Sequence, residues 1–313
     1  MADLFRLVSL TRSELLQANP WARPHEPSLA PAQTAPRPGL FEGGTAFRAA
    51  RREATLQRQQ RGIAPWNAWA AEMAGLRGKA AADPALLRLW HLLAGVELID
   101  ETFDNEFDVA GFSFPGTTRF AGSAFGGDTW FTDARFAGPV DFRDATFGRD
   151  AFFERARFAA GADFGAVNFQ RGAEFRELAC AGTLGFVEAE FAGSAWFRGS
   201  CFEGPVRFRG ARFGWEAGLG DCRYRGPADF AEVDFGDNAG FEGSVFEQSA
   251  TFAQARFCRA AWFSGAQFRG EAVFDRARFL GRRHFDGIGV AAPRFPLATQ
   301  AAVLERLRAA FPG

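Results

Sequence analysis

Side chains able to do covalent or proton chemistry are few in this chain and poorly spaced for it. There is one lysine (Lys79), one tyrosine (Tyr224) and three histidines (His25, His91, His284). The four cysteines, Cys180, Cys201, Cys222 and Cys258, fit no metal-binding spacing. No phosphate-cradling glycine loop, zinc-protease helix motif, CxxC pair or nucleophile elbow occurs. An enzyme needs nucleophilic or titratable groups converging in a concavity, and nothing in these spacings brings such groups together. The expectation is no catalytic residue, no bound metal and no cofactor. The chemistry that does recur at fixed spacing is aromatic. Trp130, Phe152, Trp196 and Trp262 share one 22-residue frame, which also holds Glu174, Gly218, Gly240 and His284. Rings lined up on an exterior are suited to adhesion rather than to catalysis.

That frame is set by a repeat. From Phe120 to Phe285, phenylalanine recurs in alternating steps of five and six residues, the exceptions being Cys180, Leu219 and Tyr224. Two residues before nearly every ring stands a small residue, as at Ala134, Ala145, Ala151 and Ala156. A fixed period of this kind is read before any local propensity. In an extended segment, residues i and i+2 point the same way and the one between points oppositely. Alanine and phenylalanine therefore go inward together, and the residue between them faces water. The two or three residues between successive pairs are corners. The three-residue corner often has glycine at its middle (Gly127, Gly138, Gly182, Gly193, Gly204, Gly226, Gly270, Gly281), where the expectation is a positive φ. One eleven-residue unit has two faces and cannot enclose two rings. Two units make a four-sided coil of 22 residues, with Phe120 beneath Phe142 and Phe142 beneath Phe164. Coils about 4.8 Å apart give a rod roughly 36 Å long. Burial of each ring is worth roughly 1.5–3 kcal/mol, and disordered tracts avoid aromatics, so the repeat must fold.

The run of small-x-Phe units resembles the pentapeptide-repeat family in its Phe-centred form. That resemblance implies a mainly β fold, a right-handed quadrilateral β-helix, over residues 101–295. The alternation of five and six departs from a pure five-residue register, so alternate corners should be wider than the family's tight turn. The string Gly62-Ile63-Ala64-Pro65-Trp66-Asn67-Ala68-Trp69 resembles one that precedes the repeats in many members, which implies a capping role. Some members mimic DNA and occupy the DNA-binding saddle of gyrase-type topoisomerases, and this is the alternative function. Charge weighs against it. Residues 101–287 carry 21 basic and 27 acidic groups, a net of −6, whereas a duplex of that length presents roughly 21 phosphates. The acidic stripe is confined to Asp141, Asp163 and Asp229, and no nucleic-acid partner is expected.

Four regions follow from composition. Residues 1–40 combine a short helix signal (Thr11 and Glu14 in capping-box spacing) with a proline-rich linker from Pro20 to Pro38, expected to be disordered. Residues 41–100 read as a helical N-terminal cap. It has a basic, solvated helix over Thr45–Arg61, then Trp66, Trp69, Ala70 and Met73 on one helical face. A further helix should begin at Asp83-Pro84 and present Leu86, Leu87, Trp90, Leu93 and Ala94. Residues 101–295 form the β-helix, with a distorted first coil because Phe107 and Phe112 fall where small residues belong. Residues 296–313 read as a C-terminal capping helix bearing Val303, Leu304, Leu307 and Phe311. Within the stack, Trp215 to Tyr224 is irregular, and each substitute there is still apolar.

No signal peptide is visible, since Met1–Pro20 is interrupted by Asp3, Arg6, Arg12 and Glu14. The most apolar run, Leu86–Val96, is too short to span a bilayer, so no membrane insertion is expected. An outward Cys201 fits a reducing compartment, which points to the cytoplasm. The functional expectation is a non-enzymatic rigid solenoid, structural or for protein–protein interaction. Its partner is an unknown protein or a second copy in a homodimer, contacted through Trp130, Phe152, Trp196 and Trp262. Two blander origins of that column compete with it: β propensity alone, or N-terminal helices folded over the rings.

Overall fold

A computed structural model describes residues 45–290 of the 313-residue chain. The helix expected near Thr11, the proline-rich linker and the helix expected over Leu297–Phe311 lie outside the described residues. The chain divides into two compact units, with the division between Glu97 and Leu98.

The first unit contains helices α1 (Thr45–Gln60), α2 (Ile63–Ala80) and α3 (Pro84–Ala94). Gly62, with φ 90°, separates α1 from α2 in a conformation that residues with a Cβ avoid. Asp83 caps α3, its side chain accepting the Ala85 N–H at 2.7 Å, and Pro84 takes the first helical position. Trp66, Trp69, Ala70 and Met73 are buried along α2. Trp90 of α3 is buried too and donates its indole N–H to the Met73 carbonyl at 2.7 Å. The expected apolar face of α3 is narrower than its leucines imply, since Leu93 is 38% exposed. Arg58 is not solvated as its helix's composition implies. Its guanidinium lies 4.2 Å from the centre of the Trp69 ring, and burial lowers its pKa.

The second unit is a β-solenoid of about nine turns and about 22 residues per coil. Each coil gives one two-residue strand to each of four parallel sheets, here called faces 1 to 4. Face 1 runs from Thr102–Phe103 to Arg278–Phe279 and face 2 from Phe107–Asp108 to Arg283–His284. Face 3 runs from Ser113–Phe114 to Gly289–Val290, and face 4 includes Thr118–Arg119 through Ala272–Val273. Register partners stand one coil apart: Phe147 pairs with Phe125 and Phe169, Ala151 with Thr129 and Ala173. The core is the ring stack this register dictates. Phe142 lies face to face with Phe120 at 5.0 Å and with Phe164 at 4.8 Å. Phe131 and Phe153 meet it edge-on at 5.3 and 5.6 Å, so both favourable aromatic geometries are used.

The first coil is more regular than its sequence implies. Phe103, Phe107 and Phe114 hold ladder register with Phe125, Thr129 and Phe136. Phe107 turns its ring into the interior, 4.6 Å from Phe103 and 5.3 Å from Phe125. It fits because Val109 stands where other coils place a phenylalanine.

The corners differ from expectation. Positive φ recurs every eleven residues from Asp100 to Gly287, at the second residue of the two-residue corner. That corner closes as a tight turn: Ala134 N–H donates to the Phe131 carbonyl at 3.0 Å, and Ala211 N–H to Phe208 at 2.9 Å. Most residues in this left-handed state are not glycine; they include Asp133, Arg155, Ala166 and Glu188. The glycines at the middle of the wider corner have no positive φ. They are needed for space, because stacked coils bring backbone onto backbone there. A Cβ on Gly204 would run into the carbonyl of Gly182, and one on Gly226 into that of Gly204.

Candidate interaction surface on face 2

The ladder register places Trp130, Phe152, Glu174, Trp196, Gly218, Gly240, Trp262 and His284 in one outward column. The strand pleat enforces this, since the preceding residues (Thr129, Ala151, Ala195 and Ala261 among them) are fully buried. The four residues singled out from sequence therefore share a face, but not one cluster. Trp130 and Phe152 stack at 5.7 Å with planes 9° apart. Trp262 stacks on His284 at 3.6 Å and 7°. Trp196 stands alone between the two pairs and lies over Gly218, where an added Cβ would meet its ring. The Arg176 guanidinium sits 5.5 Å from the Trp196 ring centre. All four are half-buried rather than fully exposed, because the rings lie down along the face. His284 and Gly218 belong to the arrangement as well; the repeat frame that holds Trp130 was the signal for both.

Charge on face 2 is partly withdrawn from water. Burial raises the Glu174 pKa against the pull of Arg176, whose Nε lies 3.2 Å from Glu174 Oε2. That contact is an ion pair without hydrogen-bond alignment, as Oε2 accepts no hydrogen bond. The Glu242 carboxylate lies above Gly240, where a Cβ would stand 2.6 Å from its Oε2, and burial raises its pKa also.

The acidic stripe lies on face 4 and is discontinuous. Asp141 and Asp163 are adjacent in the column, flanked by Arg119 on one side and by Gly185 and Arg207 before Asp229 on the other. Arg143 pairs with Asp141 at 2.7 Å and approaches Asp163 at 3.8 Å, while Arg209 pairs with Asp229 at 3.2 Å. Beside Gly185 is a depression of about 500 Å³ lined by Arg143, Asp163, Thr183, Glu188 and Arg207. The buried Cys180 and Cys222 thiols are pushed up to about 12 by burial, which makes them poor nucleophiles. Among the described residues no cluster of His, Cys, Asp or Glu is arranged to hold a metal ion. No described helix is long and apolar enough to cross a membrane.

A four-sided coil, rings on all four inner faces and a small residue two positions before each ring define a quadrilateral repeat solenoid. The family described as pentapeptide repeats matches residues 120–168, 131–179, 166–212, 208–256 and 230–278, with nine copies. These matches together cover residues 120–278, half of the chain, and the chain belongs to the pentapeptide-repeat family. Neither a curated protein nor a solved structure matches it.

Proposed function

We propose that this chain is a non-enzymatic interaction module, a stiff cytoplasmic solenoid that presents face 2 to a protein partner. One observation carries the reading: face 2 is the face whose outward column is built of rings. The other outward columns hold no ring; they mix small and polar residues with charges, among them Glu190, Arg212, Asp234 and Arg256 on face 1, Arg135, Arg157 and Arg223 on face 3, and Asp141, Asp163 and Arg207 on face 4. Rings held on a continuous ladder lose little conformational freedom when a partner arrives, so more of their contact energy appears as affinity.

The test is a variant with Trp130, Phe152 and Trp196 all changed to Ser. Its far-ultraviolet circular dichroism should match that of the intact chain, while capture of a partner from the native cell or self-association is lost. Unchanged capture together with unchanged mass in solution would show that the rings do not form a binding surface.

A further inference from the structure

From Trp130 to His284 the face 2 column sets its two stacked ring pairs symmetrically about the midpoint between Trp196 and Gly218; Asp108, one coil before Trp130, has no counterpart among the described residues. Stepping outward from that point, Trp196 is matched by Gly218, Glu174 by Gly240, Phe152 by Trp262 and Trp130 by His284. The two stacked ring pairs, Trp130–Phe152 and Trp262–His284, therefore stand equally far on either side. We infer that the partner of face 2 is a second copy of this chain, laid antiparallel across it; this rests on the reading of face 2 as an interaction surface.

A two-fold axis in the plane of such an interface, along the strands and through that midpoint, brings each residue opposite its palindromic counterpart. Phe152 then meets Trp262 of the second copy, and Trp130 meets His284 of the second copy. Trp196 reclines over Gly218 in each chain, so the two Trp196 rings meet across the axis, while Gly240, having no side chain, leaves room for Glu174 of the second copy. Because the axis runs along the strands, each flank of the face meets the same flank in reverse. On one flank Arg176 falls opposite Glu242 and Arg198 opposite Gly220. On the other, Asp128 falls opposite Arg282 and Asp150 opposite Ala260. The Glu242 carboxylate, which lies over Gly240 in the single chain, turns toward Arg176 of the second copy and vacates that space.

Charge selects this register. Moving the axis one half-step, onto Trp196, sets Glu154 against Glu242 and Arg198 against its own copy. Moving it onto Gly218 sets Glu154 against Asp286 and Glu216 against its own copy. Both neighbours are penalised by like charges, partly offset in the Gly218 register by Arg198 against Glu242 and Asp150 against Arg282; the central register alone sets opposite charges together with no like pair among these flank residues. The area fits a weak dimer. Eight coils at about 4.8 Å and a face about five extended residues wide give roughly 38 by 16 Å. That is about 600 Å² per copy and about 1,200 Å² in total, the lower end of specific interfaces.

The experiment is sedimentation velocity on the full chain over a concentration series, with the variants Arg176→Glu and Glu242→Arg. The intact chain should dimerise with a Kd on the order of micromolar. Each variant alone places like charges together twice per dimer and should weaken association at least ~100-fold. An equimolar mixture of the two should recover the dimer, because both cross-copy pairs again become Arg with Glu. Residues 176 and 242 are three coils apart within a chain, so recovery cannot arise intramolecularly. It also separates the effect from loss of Arg176's own contacts with Glu174 and Trp196, and shows that both variants are folded. A monomeric intact chain, a dimer indifferent to either substitution, or a mixture that stays monomeric would each overturn the inference. If the intact chain is monomeric but captures a different protein that the Trp130, Phe152 and Trp196 to Ser variant releases, face 2 remains an interaction surface and the second copy is excluded.

Discussion

Substituting Gly204 by Ala tests how the coils pack at their corners. Gly204 lies between Gly182 and Gly226 in a corner column, and an added Cβ would fall well inside the 3.4–4 Å of ordinary contact with the Gly182 carbonyl. The obstacle is backbone, which has no rotamer to change, so the coils must part locally by about 1 Å. The ladder bonds on either side, Glu203 N–H to the Cys180 carbonyl at 2.8 Å and Leu184 N–H to Pro205 at 2.9 Å, then stretch or break. Two hydrogen bonds at a net ~1 kcal/mol each, with overpacking of about 1–3 kcal/mol, give an expected loss of roughly 3–5 kcal/mol. For a chain of this size that is a fall in Tm of about 6–20 °C. The control is Gly210→Ala in the tight corner, where φ is 69° and the nearest atom, Glu188 Cγ, stands 3.5 Å from the added Cβ. One coil earlier Glu188 itself adopts φ 58°, so Gly210→Ala should cost only about 1 kcal/mol. Both would be measured by thermal and urea unfolding. A larger loss at Gly210 than at Gly204 would refute the close-approach account and return the glycine requirement to φ.

Two further substitutions probe the core. Phe197 is fully buried, stacked on Phe175 at 4.7 Å and edge-on to Phe208 at 5.3 Å, so Phe197→Ala should cost about 3–5 kcal/mol in denaturant unfolding; a loss below about 1 kcal/mol would mean the ring is not packed. Tyr224 is fully buried, and among the described residues the only polar side chain at its hydroxyl is the Cys222 thiol, a weak partner that does not reach hydrogen-bond geometry. Tyr224→Phe should therefore raise stability by about 1 kcal/mol, and a decrease would show that the thiol contact outweighs the cost of burying the hydroxyl.

The coil length and the ring columns were legible because phenylalanine marks each inward position, and a strand has one phase that buries it. The outward Trp130 frame came with them at no extra assumption. The corners were not legible, since glycine answers two different needs, positive φ and close approach, and composition does not separate them. Asp133, Arg155 and Ala166 accept the left-handed conformation because the ladder bonds on both sides over-determine the tight turn. The lie of each ring was hidden for a similar reason. Trp196 can recline only because Gly218 follows it one coil later, and Trp262 because His284 matches its plane. Arg58 on Trp69 was invisible because it joins two helices whose packing no local pattern reports. The inward substitutes of the irregular coil, Leu219, Cys222 and Tyr224, are buried as their apolar character implied, whereas Trp215 at its corner is 61% exposed. Cys222 donates its thiol to the Phe197 carbonyl at 3.0 Å, the bond that Ser200 and Ser244 make at equivalent positions at 2.8 and 2.7 Å.

The charged surface bears on what kind of partner such a solenoid can recognise. Its arginines reach mostly along the stack: Arg155 to Asp133 at 2.8 Å, Arg225 to Glu203 at 2.6 Å, Arg256 to Asp234 at 3.2 Å, each pair spanning one coil. Hydrogen bonding from arginine is the leading cause of the lowered pKa at Asp133 and at Glu203, so these carboxylates remain ionised and locally neutralised through any physiological pH. A surrogate for duplex DNA needs the reverse, carboxylates in rows with no cation between them. Here a cation interrupts or borders every such row described above, including the one on face 4. The far field is weak, and salt screens what is left within about 8 Å. Recognition by this surface must then act at contact, through the height and spacing of rings and gaps. Spacing of that kind is fixed by the ladder and recurs with every coil, and a second copy turned end for end, the partner inferred above, would present the same spacing.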